Sequence, residues 1–371
     1  MQKKYTSLGL MSGTSGDGVD ASIINTNGID HYDVIKDKYF EYDTEIYKKF
    51  HSIKDKIFNL NDLHKLSNEI NDLERKITLF NAKIVKELNH TNKKIIVGFH
   101  GQTIYHNSQN KISKQLGDGK LLHQLTKKKI IFRFRDNDLI NGGEGAPLTP
   151  IFHQLIVSQK KIKLPVCILN IGGISNITLI KKPIKSFDLF SKDIGPGNCL
   201  IDSWIRKNSN KNFDFKGEIA ASGKKNDIIF EQAQELYNNR NNKDKLSFDT
   251  NDFDISFVRG LTLEDGASTL TDFTASIISE TLSLVLDKEK PIDVLVCGGG
   301  RKNKVLLSSI IKKLPISINL KSIDEYKING DFIESQAFAF LAIRCLKKLP
   351  ISFPTTTNCE KPITGGEIVG N

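Results

Sequence analysis

The chain contains no run of about eighteen apolar residues, the minimum for a membrane-spanning helix. Its first residues, Met1-Gln2-Lys3-Lys4-Tyr5-Thr6, lead into a short apolar stretch that stops at a Gly/Ser/Thr loop. A secretory signal would need a longer apolar region and a small-residue cleavage site. The expectation is therefore a cytoplasmic protein with no membrane partner. Cysteine is sparse. Cys167, Cys199, Cys297, Cys345 and Cys359 are scattered, odd in number, and include no C-x-x-C pair. That pattern argues against both a disulfide framework and a structural zinc site. Aromatic residues are missing from the basic runs, such as Lys127-Lys128-Lys129. The net charge of +10 and pI of about 9.1 are Lys-rich and spread along the chain. We read them as composition rather than as a nucleic-acid footprint; a positive field would still help to gather small anions.

With 371 residues, 39% hydrophobic and 26% charged, the chain has the size and composition of a two-domain globular enzyme. Glycine-rich loops lie beside strand-like apolar segments. Residues 8–11, the loop 12–18 and residues 19–24 read strand, loop, strand. Residues 166–169, the loop 170–176 and residues 177–180 repeat that pattern, which suggests a duplicated architecture. Between them, Leu63, Leu66, Ile70, Leu73, Ile77, Phe80, Ile84 and Leu88 recur at helical spacing, predicting one amphipathic helix over 61–88. A strand over 95–99 ends at His100-Gly101-Gln102-Thr103. Further on, the pattern predicts helices over 199–207, 268–287 and 334–346, a polar mobile segment over 238–254, and a strand at 294–297. Alternating strands and helices give an α/β protein.

The loops carry the chemistry. In Gly13-Thr14-Ser15-Gly16-Asp17-Gly18-Val19-Asp20, glycines let backbone N–H groups approach a phosphate and hydroxyls add donors. An aspartate cannot usefully touch phosphate directly, so Asp17 or Asp20 makes sense with a bridging magnesium. A tight hairpin turn would favour the same residues, and the Gly-Lys-Ser/Thr ending of a Walker loop is absent. Asn170, Gly172 and Gly173 could embrace the terminal phosphates, and Gly298, Gly299 and Gly300, between strand and helix, suit a nucleoside. Together these loops predict bound ATP. Asp193, ahead of the stiff Gly195-Pro196-Gly197-Asn198 turn, is the candidate base; a helix cap is its alternative. Glu334, at a helix start, either complements the helix dipole or binds a sugar hydroxyl. His100, Gln102, Arg135, Asp138 and His153 look like polar pocket residues, with Arg135 able to clamp a carboxylate.

The full motif series resembles the anhydro-N-acetylmuramic acid kinase family. It comprises Gly9-Leu10-Met11-Ser12 with the loop after it, His100-Gly101-Gln102-Thr103, and Gly142-Gly143-Glu144-Gly145-Ala146-Pro147-Leu148. It continues through Asn170-Ile171-Gly172-Gly173-Ile174-Ser175-Asn176, Asp193-Ile194-Gly195-Pro196-Gly197-Asn198, Leu263-Glu264-Asp265-Gly266 and Cys297-Gly298-Gly299-Gly300-Arg301. It closes with Glu334-Ser335-Gln336-Ala337-Phe338-Ala339, Phe353-Pro354-Thr355-Thr356-Thr357 and Thr364-Gly365-Gly366.

The resemblance implies two ribonuclease-H-like domains of the actin-like ATPase fold with ATP in the cleft between them. It implies an ATP- and Mg2+-dependent opening of 1,6-anhydro-N-acetylmuramic acid to N-acetylmuramic acid 6-phosphate, and a homodimer. By the same resemblance Asp193 deprotonates the attacking water and Glu334 binds the sugar. From the residues themselves we expect His100, Gln102, Arg135, Asp138, Gly195 and Asn198 to bind sugar too, and Asp17 to act indirectly on the metal. Three departures stand out: Ile194 where the family commonly has Thr, Glu144 where Gln is frequent, and an extended segment over 184–192. We expect a first domain over 1–130 plus 346–371 and a second over 131–345. Another sugar kinase of the same fold, acting on an ordinary hydroxyl, is the main alternative; an actin-like ATP switch or filament protein is a further one.

Overall fold

The computed structural model describes residues 3–88, 94–183, 189–239, 247–287 and 290–370. Contacts divide the chain into two units: Met1–Lys163, Lys182–Ser191 and Asp331–Asn371 in one, Leu164–Lys181 and Lys192–Gly330 in the other. The divisions thus fall near 164 and 331 rather than at the expected 131 and 346. The first unit also takes in the helix over Pro150–Gln159 and the helix over Ile333–Leu346, which packs on the first sheet.

In the first unit, β1 (Tyr5–Ser12) and β2 (Gly18–Thr26) form an antiparallel hairpin, extended by β3 (Tyr32–Glu41). Next come α1 (Thr44–Lys54), α2 (Leu60–Lys65) and α3 (Ser67–Leu88). The expected single helix is therefore two. Asn59 caps α2 by accepting from the Asn61 and Asp62 amides, and α2 stops at Leu66. The stripe still buries Ile70, Leu73, Ile77 and Ile84 against the sheet. Strand β4 (Ile96–Asn107) runs parallel to β1 and straight through the His100-Gly101-Gln102-Thr103 motif, which the sequence had placed beyond the strand end. Then follow β5 (Ile112–Leu116), antiparallel to β4, α4 (Gly119–Thr126), and β6 (Lys129–Phe132), parallel to β4. The short α5 (Asp136–Ile140) and α6 (Pro150–Gln159) complete this stretch.

In the second unit, β7 (Val166–Ile171) and β8 (Ile174–Ile180) form the second hairpin, flanked by β9 (Leu189–Pro196). Helices α7 (Cys199–Asn208), α8 (Glu218–Ser222), α9 (Asp227–Asn239) and α10 (Leu263–Val285) follow. Helix α10 starts earlier than its apolar pattern suggests, because the Thr262 side chain caps the Asp265 amide at 3.1 Å. Strand β10 (Ile292–Cys297) is parallel to β7, and after α11 (Lys304–Lys313), β11 (Ile318–Ser322) is parallel to β10. The core is built on Trp204, Leu270, Phe273 and Ile277. Burying a large apolar side chain of this kind contributes about 1.5–3 kcal/mol.

The chain then returns to the first unit with α12 (Ile333–Leu346), α13 (Pro354–Thr357) and β12 (Glu367–Val369), the last antiparallel to β6. Helix α12 lies directly on the sheet. A Cβ at Gly9 would fall onto the Ser335 carbonyl, so only glycine permits that approach.

The strand orders are β6-β4-β1-β2-β3, with β12 beyond β6 and β5 beside β4, and β11-β10-β7-β8-β9. Each is a hairpin plus a third strand on one side and two parallel strands on the other. The same ribonuclease-H-like order occurs twice, as the paired loops suggested.

Candidate active site

In α/β sheets, binding loops gather at the carboxyl ends of the central strands, and each unit follows this rule. In the first, residues 13–17 link β1 to β2. The Gly16 amide donates to the Gly13 carbonyl at 3.2 Å, and the Tyr42 amide to the Asp17 carbonyl at 2.9 Å. Gln102, opposite Ser12 on β4, donates Nε2 to the Gly13 carbonyl at 2.7 Å. Gln102 is fully buried, and its Oε1 has no partner among the described residues.

Asp17 accepts from Ser15 Oγ at 2.6 Å. Burial, followed by the charges of Asp17 and Asp20, holds the Tyr39 hydroxyl well above its usual pKa. Among the described residues no group of three or more His, Cys, Asp or Glu is arranged around a metal. Magnesium needs no such cage: it keeps several waters and takes one or two carboxylates plus substrate phosphates. Asp17 and Asp20 fit that more open mode.

His100, Arg135 and Asp138 form a chain within the first unit. Arg135 donates Nε at 3.2 Å and Nη2 at 2.9 Å to His100 Nε2. A guanidinium cannot accept, so His100 Nε2 carries no proton. Nδ1 is therefore the protonated nitrogen and donates to the Gly101 carbonyl at 2.8 Å. Burial and the Arg135 charge keep His100 neutral, its pKa well below the usual histidine range. Arg135 Nη1 donates to the Gly145 carbonyl at 2.7 Å. Asp138 accepts from the Gly145 amide and from Thr357 Oγ1, each at 2.7 Å, one on each oxygen. Asp138 is thus a buried brace for the loop around Gly145. His153 stands apart on α6, buried, with a pKa lowered to about 3 by desolvation.

In the second unit, Asn170, next to the last residue of β7, lies opposite Cys297 on β10. The amides of Gly197 and Asn198 donate to the carbonyls of Gly173 at 2.9 Å and Gly172 at 2.8 Å. These bonds tie the 195–198 turn to the β7–β8 loop. Gly298 sits at φ +79°, and a Cβ there would strike Asn170 Oδ1 and the Ile171 carbonyl. Arg301 steadies this loop, donating Nη1 to the Gly298 carbonyl at 3.1 Å and Nε to Asp324 at 2.8 Å. Asn170, Gly172, Gly173, Asn198, Gly298 and Gly299 thereby collect at one edge of the sheet.

Asp193 is neither in the turn nor a helix cap. It lies within β9 and is buried, and Asn198 takes the N-cap position of α7. Asp193 Oδ2 accepts from the Phe248 amide at 2.9 Å. The expected mobile segment 238–254 lies outside the described residues at 240–246; beyond them, Ser247 and Phe248 are buried. The extended segment 184–192 likewise lies outside the described residues at 184–188, and Ile194 fills a buried apolar position. Glu144 donates its amide to the Thr357 carbonyl at 2.7 Å.

Glu334 occupies the first turn of α12. Its neighbours fix the helix: Ser335 Oγ meets Ser22 Oγ at 2.6 Å, and Gln336 Nε2 donates to Asp37 at 3.0 Å. Sequence reading missed Thr357, Asp324 and Phe248. The Phe353–Thr357 motif was visible, but its partner Asp138 lies more than two hundred residues away. The Phe248 amide has no side-chain signal at all.

Comparison with known proteins bears on the whole chain. Residues 5–370 match the family described as anhydro-N-acetylmuramic acid kinase. A protein of that name from Pelagibacter ubique (strain HTCC1062) is 56% identical, covering 100% of both chains. Another from Zymomonas mobilis is 36% identical over 97% of this chain and 98% of its own. Among solved structures, component A of (R)-2-hydroxyglutaryl-CoA dehydratase from Acidaminococcus fermentans is similar at 12% identity, covering 93% of this chain and 100% of its own, with a TM-score of 0.44. The match from residue 5 to residue 370 makes this chain a member of the anhydro-N-acetylmuramic acid kinase family.

Proposed function

We propose that the protein uses ATP and water to convert 1,6-anhydro-N-acetylmuramic acid into N-acetylmuramic acid 6-phosphate and ADP. Water attacks the anomeric carbon, its proton passes to Asp193, and the bond from that carbon to O6 breaks. The freed O6 takes the γ-phosphoryl group. The observation that carries this reading is Asp193, a buried carboxylate on the strand leading into the turn bonded to Gly172 and Gly173.

In this reading the backbone of Gly13, Thr14, Ser15, Gly16 and Gly18, with Val19 behind it, holds phosphate. Asn170, Gly172 and Gly173 do so in the second unit, and Gly298, Gly299 and Gly300 take the nucleoside. Magnesium, held through Asp17 and Asp20, neutralises phosphate charge when bound. Arg135, Glu334, Gly195 and Asn198 contact the sugar. His100 orients Arg135, and Asp138 acts through the Gly145 loop. The working form is a cytoplasmic homodimer.

The test is to incubate the protein with Mg–ATP and the anhydro sugar and identify the phosphorylated product by mass spectrometry. The expected product is the 6-phosphate, lost in Asp193→Asn with the fold retained. Unchanged sugar, or full activity in Asp193→Asn, would overturn the reading.

A further inference from the structure

Four aromatic side chains cluster beside the Asp193 strand. Phe248 and Phe253 have ring centroids 5.4 Å apart, Phe253 and Tyr237 6.5 Å, and Tyr237 and Phe273 of α10 5.8 Å with the rings edge to face. Phe248 and Phe273 are buried. Tyr237 also reaches β9: a Cβ at Gly195 would lie 3.3 Å from its hydroxyl and collide with Ile277 of α10. The cluster therefore backs the strand stretch from Asp193 to Gly195 and fixes the backbone of Phe248 beside it.

The Phe248 amide donates to Asp193 Oδ2 at 2.9 Å within a buried setting. Such a bond has two consequences. It fixes the carboxylate rotamer, leaving Oδ1 as the oxygen not engaged by this amide. It also favours the ionised carboxylate, because an N–H bonds the charged form better than the neutral acid.

We infer that Phe248 is a positioning residue for the reaction: its backbone N–H, clamped by the aromatic cluster, aims Asp193 and keeps it ionised for proton abstraction. The inference rests on the reading of Asp193 as the base. Side-chain substitutions cannot remove an amide, so the direct test replaces residue 248 with the α-hydroxy analogue of phenylalanine. That change converts the N–H to an ester oxygen and leaves the ring in place. A carboxylate stripped of an N–H donor holds its proton more tightly. The acidic limb of kcat/KM should then move to higher pH by about one unit, and kcat at neutral pH should fall several-fold, with KM for ATP unchanged. Phe248→Ala, which keeps the amide but weakens its clamp, should lower kcat in the same direction, and Phe248→Tyr should restore it. An acidic limb that stays put in the ester variant, in a protein whose Asp193→Asn form is inactive, would overturn the positioning role while leaving the base assignment standing. If Asp193→Asn were active, the base assignment itself would fall.

Discussion

Gln102 reaches from β4 to the loop that follows β1, its side-chain amide donating to the Gly13 carbonyl at 2.7 Å. Sequence reading placed Gln102 among sugar contacts, yet this bond fixes the peptide that opens the 13–17 loop. Turning that peptide would re-aim the amides that follow it.

Gln102→Leu should therefore raise KM for ATP by roughly two- to twelve-fold, the scale of one lost hydrogen bond of about 0.5–1.5 kcal/mol. Steady-state kinetics with each substrate varied in turn would check this. A rise confined to the sugar KM would contradict the bracing role and restore the sugar contact.

Arg301 plays a comparable part for the Gly298 loop, bonding its carbonyl while paired with Asp324. Arg301→Ala should weaken nucleotide binding about tenfold, as expected when a charge-assisted bond to a constrained loop is lost. Asp324→Asn should produce a smaller loss. Titration with a fluorescent ADP analogue would measure both. Unaltered affinity in Arg301→Ala would show that the loop holds its shape without the brace.

Much of this was legible in the sequence because it is local. Small residues between apolar segments mark β1–β2, β7–β8 and the start after β10, and Glu334 falls in the first turn of a helix, as its pattern indicated. What was not legible depends on partners distant in the chain. Asp138 reads as a pocket residue until Thr357 and Gly145 occupy its oxygens. The His100 ring reads as a ligand until Arg135 takes its Nε2. Asp193 could equally cap the helix that follows, as far as the local sequence shows, whereas strand β9 runs through Pro196 and leaves the N-cap to Asn198.

Gly9 tests the packing of α12 on the first sheet. Gly9→Ala would place a methyl group on the Ser335 backbone. Because backbone on both sides must shift, the expected destabilisation is about 3 kcal/mol. Thermal and urea unfolding would report it as a lower midpoint, and a wild-type midpoint would mean that α12 has slack at this contact.

Buried neutral histidine predicts how stability depends on pH. His153 has its pKa lowered to about 3 by burial, and His100 is lowered as well. Unfolding returns both to the ordinary value near 6.5, so below that pH the unfolded state binds more protons and stability falls. The contribution is fully present above pH 6.5. For His153 it is lost at up to about 1.4 kcal/mol per pH unit as the pH drops toward 3, and His100 adds to the loss in the same direction. Melting temperatures measured from pH 7.5 down to 4.5 should decline, with a shallower slope in His153→Gln. An identical slope in that variant would remove His153 from the account.

The most direct test of the central claim is to run the reaction in ¹⁸O-labelled water with Mg–ATP and 1,6-anhydro-N-acetylmuramic acid, locating the label by fragment masses and correcting for anomeric exchange. Ring opening coupled to phosphorylation predicts one solvent oxygen at the anomeric carbon and none at O6, with the product absent in Asp193→Asn. A phosphorylated sugar that carries no solvent oxygen would contradict it, and would make the protein a kinase for an existing hydroxyl.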